Sequence, residues 1–271
     1  PSSGFLFNTN HSTFYATGSD NNLLAGSFSS TSGWETNHNN RSKRFLELMP
    51  STGKLDFDRF KRIKFDRQFP AVFEFPYSVD SLFLMKRASY PQYDTLLRNL
   101  QEWDRRGIPE SKGAAAFLMV YEKVSKAMRG KDSRALTMAE CEKLLHDIQD
   151  QMMKTYSTTD LALGDIQKLV RGDKEFPGPG LPDLLSPEWG VATANGKRKI
   201  TGGDAYVALV RFPKQGLPII ETVNTYGASS KQGSPHFDDQ VPLFLQQKTK
   251  TMTLDKAKVL ATAKRIYHPG E

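Results

Sequence analysis

A single cysteine, Cys141, stands in a chain of 271 residues. One thiol excludes an intrachain disulfide framework and any zinc site built on several cysteines. Long apolar runs are missing too: residues 113–120 form one of the longest, far short of the roughly 20 needed to span a bilayer. A membrane-embedded chain is not expected, nor a membrane partner. His11, His38, His146 and His268 share no metal-ligand spacing, so neither metal nor cofactor is expected. No repeat recurs along the chain, which excludes solenoids and propellers. The Gly-Pro-Gly at 178–180 lacks the Lys and Ser/Thr that make a phosphate loop.

What the chain does have is positive charge, a formal +7 with a pI near 9.3. Clustered Lys and Arg bind phosphate backbones by releasing counterions. Here the densest groups, Arg41, Lys43, Arg44 and Arg59, Lys61, Arg62, Lys64, are interleaved with Glu47, Asp56, Asp58 and Asp66. No aromatic and basic platform accompanies them, so a solvated basic surface is expected and no nucleic-acid partner.

Periodicity sets out an α+β chain. Phe5, Leu6 and Phe7 read as a short apolar strand, and the Gly-, Ser- and Asn-rich residues 17–40 as a long loop. A helix over about 38–49 carries Phe45, Leu48 and Met49 and stops at Pro50. The next starts at Asp56 as N-cap, with a Leu55–Phe60 staple and a stripe of Phe57, Phe60 and Ile63. From Tyr93 to Val170 the pattern is helical. One helix carries Leu96, Leu97, Leu100 and Trp103 and ends at Gly107. A second opens at Ser111, carries Phe117, Leu118, Tyr121, Val124 and Met128, and closes at Gly130. A third has a Thr137/Glu140 capping box over Leu144, Leu145, Ile148 and Met152, and a short fourth covers about 160–170. Gly172, Pro177, Gly178, Pro179, Gly180 and Pro182 then predict an irregular connection. Strands over 205–211 and 217–223 form a hairpin through 213–216, and a final helix spans 253–267. Three regions follow: 1–40, strand and loop; 41–171, mainly helical; 172–271, C-terminal strands and last helix, with the N- and C-terminal strands in one sheet.

The chemistry concentrates at Asn10. An amide held at a strand end is neutral and short, and can offer an N–H to a developing oxyanion at small desolvation cost. Asn8 is the alternative amide. His236 lies near Ser234, Asp238 and Asp239, but residues this close in sequence seldom converge as nucleophile, base and orienter.

The run Asn8, Thr9, Asn10, His11, Ser12 is followed by Asn40, Arg41, Arg44 and Leu48, and later by Gly233, Ser234, His236, Asp239 and Gln240. In order and spacing this resembles the penicillin amidase family of N-terminal nucleophile hydrolases, over the C-terminal part of its β-chain and almost the whole length of this sequence. Residues 54–66, 100–104, 202–204 and 226–229 look like further landmarks. Asn10 and Asn40 also fall in Asn-x-Ser sequons, but both coincide with family motif positions, so the glycosylation match is taken as chance. The resemblance implies part of an αββα N-terminal nucleophile hydrolase sandwich with a mainly helical insert. It implies an acylase that cleaves an N-acyl amide through an acyl-enzyme, and a periplasmic or secreted location. Asn10 matches the oxyanion-hole asparagine and Arg41 the arginine that orients it and the substrate region. The motif around His236 looks architectural in that family. Asp204, in a Gly-Gly-Asp turn, matches a place where some relatives keep an acid that orients a histidine; the alternative is a turn-forming Asp.

The family's serine nucleophile, activated by its own α-amino group, lies well upstream of the oxyanion asparagine. Here Pro1 has no nucleophilic side chain, and Ser2 and Ser3 have no free α-amino group. This chain is thus expected to be the C-terminal piece of a larger acylase. Its expected partners are an N-acylated small-molecule amide, such as an acyl-homoserine lactone, a lipopeptide or a β-lactam, and the remaining acylase segments: the α-chain and the N-terminal part of the β-chain. The competing reading is a non-catalytic basic domain that docks a partner.

Overall fold

A computed structural model describes residues 2–18, 21–49, 54–75, 77–128, 134–268 and 270. The chain divides into two compact units, Pro1–Gly203 and Asp204–Glu271. Helices and sheets are both present, giving an α+β fold.

In the first unit, helix α1 (Asn40–Leu48) starts from an Asn39 cap whose side chain accepts from the Ser42 N–H while Ser42 reaches back, a capping box. Helix α2 (Phe57–Lys64) is capped by Asp56 as expected, with Ile63 buried; Phe60, expected in the apolar stripe, is 37% exposed. Strand β1 (Tyr77–Ser78) precedes helix α3 (Asp80–Leu84), which the sequence pattern does not announce. Helix α4 (Asp94–Gln101) ends well before Gly107, because the chain turns at Arg105 (φ +64°) so that the Trp103 indole N–H meets the Arg106 carbonyl.

Helix α5 (Lys112–Met128) opens where Ser111 accepts the Ala114 N–H; its expected stop, Gly130, lies outside the described residues, as does Pro50. Strand β2 (Arg134–Ala135) pairs in parallel with β1, and helix α6 (Met138–Tyr156) carries the Thr137/Glu140 box on its first turn. Phe117 is the hub of the helical core. Its ring lies 4.7 Å from Trp103, 5.4 Å from Phe69 and 5.2 Å from Phe73, centroid to centroid. Leu97, Leu145 and Met152 are fully buried in the same cluster. Gly113 lets α5 approach α4: a Cβ there would run into the Trp103 side chain and sit 2.6 Å from the Asn99 carbonyl. Gly113→Ala is expected to cost about 1–3 kcal/mol, read as a lowered urea midpoint with unchanged slope.

The predicted fourth helix is replaced by one turn, helix α7 (Leu163–Ile166), running into strand β3 (Gln167–Arg171). Gly172, at φ +64°, turns the chain into β4 (Lys174–Pro177), so part of the expected irregular connection is a hairpin. The apolar spacing across 160–170 fits either period, and cross-strand pairing decides it. Strands β5 (Glu188–Ala192) and β6 (Arg198–Gly203) complete a sheet ordered β4-β3-β6-β5, with β3 and β6 parallel.

Residues 5–8 keep the alternation of a strand: Leu6 is 69% exposed, while Phe5 and Phe7 turn in. They form no ladder among the described residues. The Phe7 N–H bonds the Ala16 carbonyl instead, so the expected N-terminal strand, and its share of a common sheet, is not formed.

In the second unit, strands β7 (Tyr206–Arg211), β8 (Ile219–Asn224) and β9 (Lys250–Met252) make an antiparallel sheet with the expected β7–β8 hairpin. Helix α8 (Val241–Leu245) seats Val241 and Phe244 in its interior. The final helix α9 is shorter than expected, Lys256–Thr262, and carries no buried residue.

Candidate functional site

Aromatic packing fixes the N-terminal segment to α1. The Phe45 ring stacks on Phe7 at 4.3 Å and meets Phe5 edge-on at 5.7 Å, while Phe7 also stacks on His11 at 4.5 Å. Hydrogen bonds continue the attachment, since Asn39 Nδ2 donates to the Thr9 carbonyl at 2.8 Å. The residue that caps the helix thus also holds the segment before Asn10.

Asn10 itself adopts φ +58°, in the left-handed region that Asn tolerates better than most residues. Its N–H is held by Asn8 Oδ1 at 2.7 Å, an Asx-type turn. Arg41, in the first turn of α1, donates from Nη1 to Asn10 Oδ1 at 3.0 Å. A guanidinium only donates, so the amide oxygen must face it and Nδ2 must face away. Nδ2 has no partner among the described residues. The two residues singled out in the sequence are therefore in contact, with one amide N–H group unspent. Asn8, the alternative amide, uses its carbonyl inside the turn.

Arg41 is held from its other side by Asp183, whose Oδ1 accepts from Nε at 3.1 Å. The neighbouring Asn40, fully buried, donates from Nδ2 to Asp183 Oδ2 at 2.7 Å and to the Glu74 carbonyl at 3.1 Å. Its Oδ1 accepts the Glu74 N–H at 2.8 Å. Nothing in the sequence pattern points to Asp183, which follows Pro182 in a stretch that reads as a connection.

A pocket of about 410 Å³ adjoins Asn10, lined also by His11, Trp34, Glu35, His38 and Asn39. Burial holds the His11 and His38 imidazoles below their ordinary value, opposed at His11 by the nearby Tyr15 backbone and aided by the charges of Arg41 and of Lys43 respectively. His38 stacks on Tyr15 at 3.8 Å and bonds Ser42 Oγ at 2.9 Å. Protonation is thus resisted in the fold but not in the unfolded chain, whose histidines titrate near about 6.5. Stability is full above that value and falls as pH drops through it. Amide hydrogen exchange over residues 9–16, corrected for intrinsic rates, is expected to quicken between about pH 7 and pH 5.5; unchanged protection would contradict this.

Cys141 is buried in α6, which pushes its thiol up to about 11, so it stays protonated and unreactive. Asp204 is half-buried at the start of the second unit, and its carbonyl accepts the Thr225 hydroxyl. In the same unit His236 Nδ1 pairs with Asp239 Oδ2 at 2.9 Å on the surface, Ser234 Oγ accepts the His236 N–H at 3.2 Å, and the His236 carbonyl accepts the Ser229 N–H at 3.0 Å. Gln240 Oε1 receives the Asn224 N–H at 2.9 Å. These bonds tie one loop to β8, with Gly227 so close to the His236 carbonyl that a side chain would collide. Among the described residues no group of three or more His, Cys, Asp or Glu could hold a metal ion, and no helix is long and apolar enough to cross a membrane.

A family model described as penicillin amidase matches residues 1–261. An acyl-homoserine lactone acylase, PvdQ, of Pseudomonas fluorescens is 30% identical over 130 residues, 47% of this chain and 16% of the relative. The protein of the same name from Pseudomonas putida is 24% identical over 131 residues, 47% of this chain and 17% of the relative. These alignments therefore span about one sixth of the relatives' length. A thermostable penicillin G acylase from Alcaligenes faecalis matches in structure with TM-score 0.43 and 11% identity, over 92% of this chain and 55% of the other.

Proposed function

The chain belongs to the penicillin amidase family, and from that premise we propose that it is the C-terminal portion of an acylase that hydrolyses N-acyl amides. The single observation that carries this reading is the Arg41–Asn10 contact, which turns the amide oxygen inward and leaves Nδ2 to donate. In the proposed reaction a serine hydroxyl, supplied by another segment of the enzyme, attacks the substrate carbonyl. The carbonyl oxygen becomes an oxyanion and receives the Asn10 Nδ2–H. The amine leaves with a proton as the C–N bond breaks, and water then hydrolyses the acyl-serine ester. The chain's part is to hold a donor where charge develops, a contribution that rises in the transition state and so raises turnover rather than affinity. Export from the cytoplasm belongs to the same proposal.

The substrate class proposed is a small N-acylated amine. Acyl-homoserine lactones are first in line because they are named for the PvdQ relatives. The pocket beside Asn10, with polar Glu35 and His38 on its wall, suits the amine side of such a molecule.

The test is hydrolysis by the intact enzyme, read by mass spectrometry. Release of free fatty acid and free amine, with an acyl group transiently on an N-terminal serine, is expected; absence of both products across acyl-homoserine lactones, lipopeptides and β-lactams would overturn the reading. Arg41→Lys keeps the charge but lacks the planar fork that spans Asn10 and Asp183. It is expected to lower kcat by about 10- to 100-fold, the worth of one charge-assisted hydrogen bond, while leaving KM within about twofold; steady-state kinetics on the same substrate checks it.

A further inference from the structure

We propose that Asp183 is the positioning residue of the oxyanion site, setting the plane of the Arg41 guanidinium and through it the direction of the Asn10 amide. The proposal rests on the oxyanion role proposed for Asn10. Its basis is a set of bonds that closes on one carboxylate. Oδ1 takes Arg41 Nε at 3.1 Å, and Oδ2 takes both the Asn40 N–H at 3.1 Å and Asn40 Nδ2 at 2.7 Å. Asp183 therefore grips the first turn of α1 at two consecutive residues, across 142 residues of sequence.

The guanidinium is planar and rigid. Once Nε is fixed on Asp183, the azimuth of Nη1 is fixed as well, and Nη1 is the atom that meets Asn10 Oδ1. Without that hold, the long arginine side chain has rotamers in which Nη1 misses the amide, and Asn10 is free to rotate its N–H groups out of line. A donor aimed one ångström wide loses much of its effect on a developing charge.

The turn that carries Asp183 is built to stay in place. Leu181 and Leu184 on either side are buried in the helical core. The Gly180 N–H bonds the Gly107 carbonyl at 2.7 Å, and the Ser186 N–H bonds the Asp66 carbonyl at 3.0 Å. Between these anchors Asp183 sits at φ +63°, a conformation that costs a non-glycine residue energy and is kept here with its carboxylate aimed at α1. Half-burial of the pair, with side chains 25% and 20% exposed, limits screening by water and salt.

The test uses the intact acylase with Asp183→Asn. Asn tolerates the same left-handed backbone and keeps the volume, but turns a donor toward either Arg41 Nε or Asn40. The expected result is a kcat about 10- to 100-fold lower with KM within about twofold, and a double variant with Arg41→Lys no slower than the worse single variant, since both act through one amide. A kcat equal to wild type, a loss confined to KM, or losses that multiply in the double variant would each overturn the proposal. Should Asp183→Asn fail to accumulate as folded enzyme, Asp183→Gly, which takes the positive φ without strain, is read in the same cycle with the same criteria. Asn10→Ala serves as the reference. If it turns over normally, the oxyanion reading falls and this proposal with it; if it is crippled while Asp183→Asn matches wild type, the proposal about Asp183 alone falls.

Discussion

Asn10→Ala in the intact enzyme is expected to lower kcat by about 100- to 1000-fold, the usual cost of losing one oxyanion donor, with KM within about threefold of wild type. The asymmetry follows from where the amide is spent. Its oxygen is committed to Arg41 at 3.0 Å and its backbone N–H to Asn8 at 2.7 Å, so the donor left over is Nδ2. Nδ2 meets a neutral carbonyl weakly and an oxyanion strongly, which places the loss in the transition state. Asn10→Asp is a sharper version. A carboxylate would bind Arg41 at least as well but has no N–H to give, and it sets a negative charge beside a negative intermediate. It is expected to fall at least as far as Ala. Substitution of Asn8 breaks only the Asx-type turn and is expected to cost far less; a larger loss at Asn8 than at Asn10 would transfer the donor role to Asn8.

The second large effect is on stability. Phe117→Ala removes the ring that Phe69, Phe73 and Trp103 share, from a position 2% exposed on the central helix α5. The site cannot collapse easily, because the surrounding rings belong to different segments and α5 is already pressed against α4 at Gly113. Loss of transfer free energy plus an unfilled cavity gives about 3–5 kcal/mol, comparable with much of the stability of an ordinary domain. Chemical denaturation is expected to show a lower midpoint for the transition that reports on α4–α6. Phe117→Leu, which refills most of the volume, is expected to recover more than half of the loss. A Phe117→Ala change below about 1 kcal/mol would mean that the aromatic cluster is not the hub described.

The elements legible in the sequence are those whose instructions are local. Asp56 and the Thr137/Glu140 box name helix starts because a side chain three residues away satisfies the open N–H groups. The β7–β8 hairpin follows from two apolar runs and a Pro/Gly turn. Where the outcome depends on a distant partner, local reading fails. Leu161, Leu163, Ile166 and Leu169 fit a helix as well as a strand, and only pairing with β4 and β6 turns residues 167–171 into β3. Phe5, Leu6 and Phe7 read as a short apolar strand and alternate in exposure in the structure, yet an apolar run does not supply a hydrogen-bonded neighbour.

The candidate site divides along the same line. Asn10 and Arg41 are legible through the order of motifs, and the contact between them is a matter of 3.0 Å geometry. Asp183 carries no such signal: an Asp after a Pro is a common turn residue, and its three bonds to α1 exist only because the helical core brings together segments some 142 residues apart. Asn39 is hidden for a different reason. Its cap on α1 shows only in the structure, where the sequence pattern placed it inside the helix, and its second bond, to the Thr9 carbonyl, is purely tertiary.

The measurement that bears most directly on the central claim is the affinity of the intact enzyme for a boronic acid bearing the substrate's acyl chain. On the proposed serine nucleophile such a compound would form a tetrahedral anionic adduct that mimics the oxyanion, whereas the free carboxylic acid product would not. Asn10→Ala is expected to weaken boronate binding by about 100-fold or more, in step with its loss in kcat, while product binding changes less than about threefold. Boronate affinity equal to wild type in a folded Asn10→Ala enzyme would contradict the claim that Asn10 is the oxyanion donor.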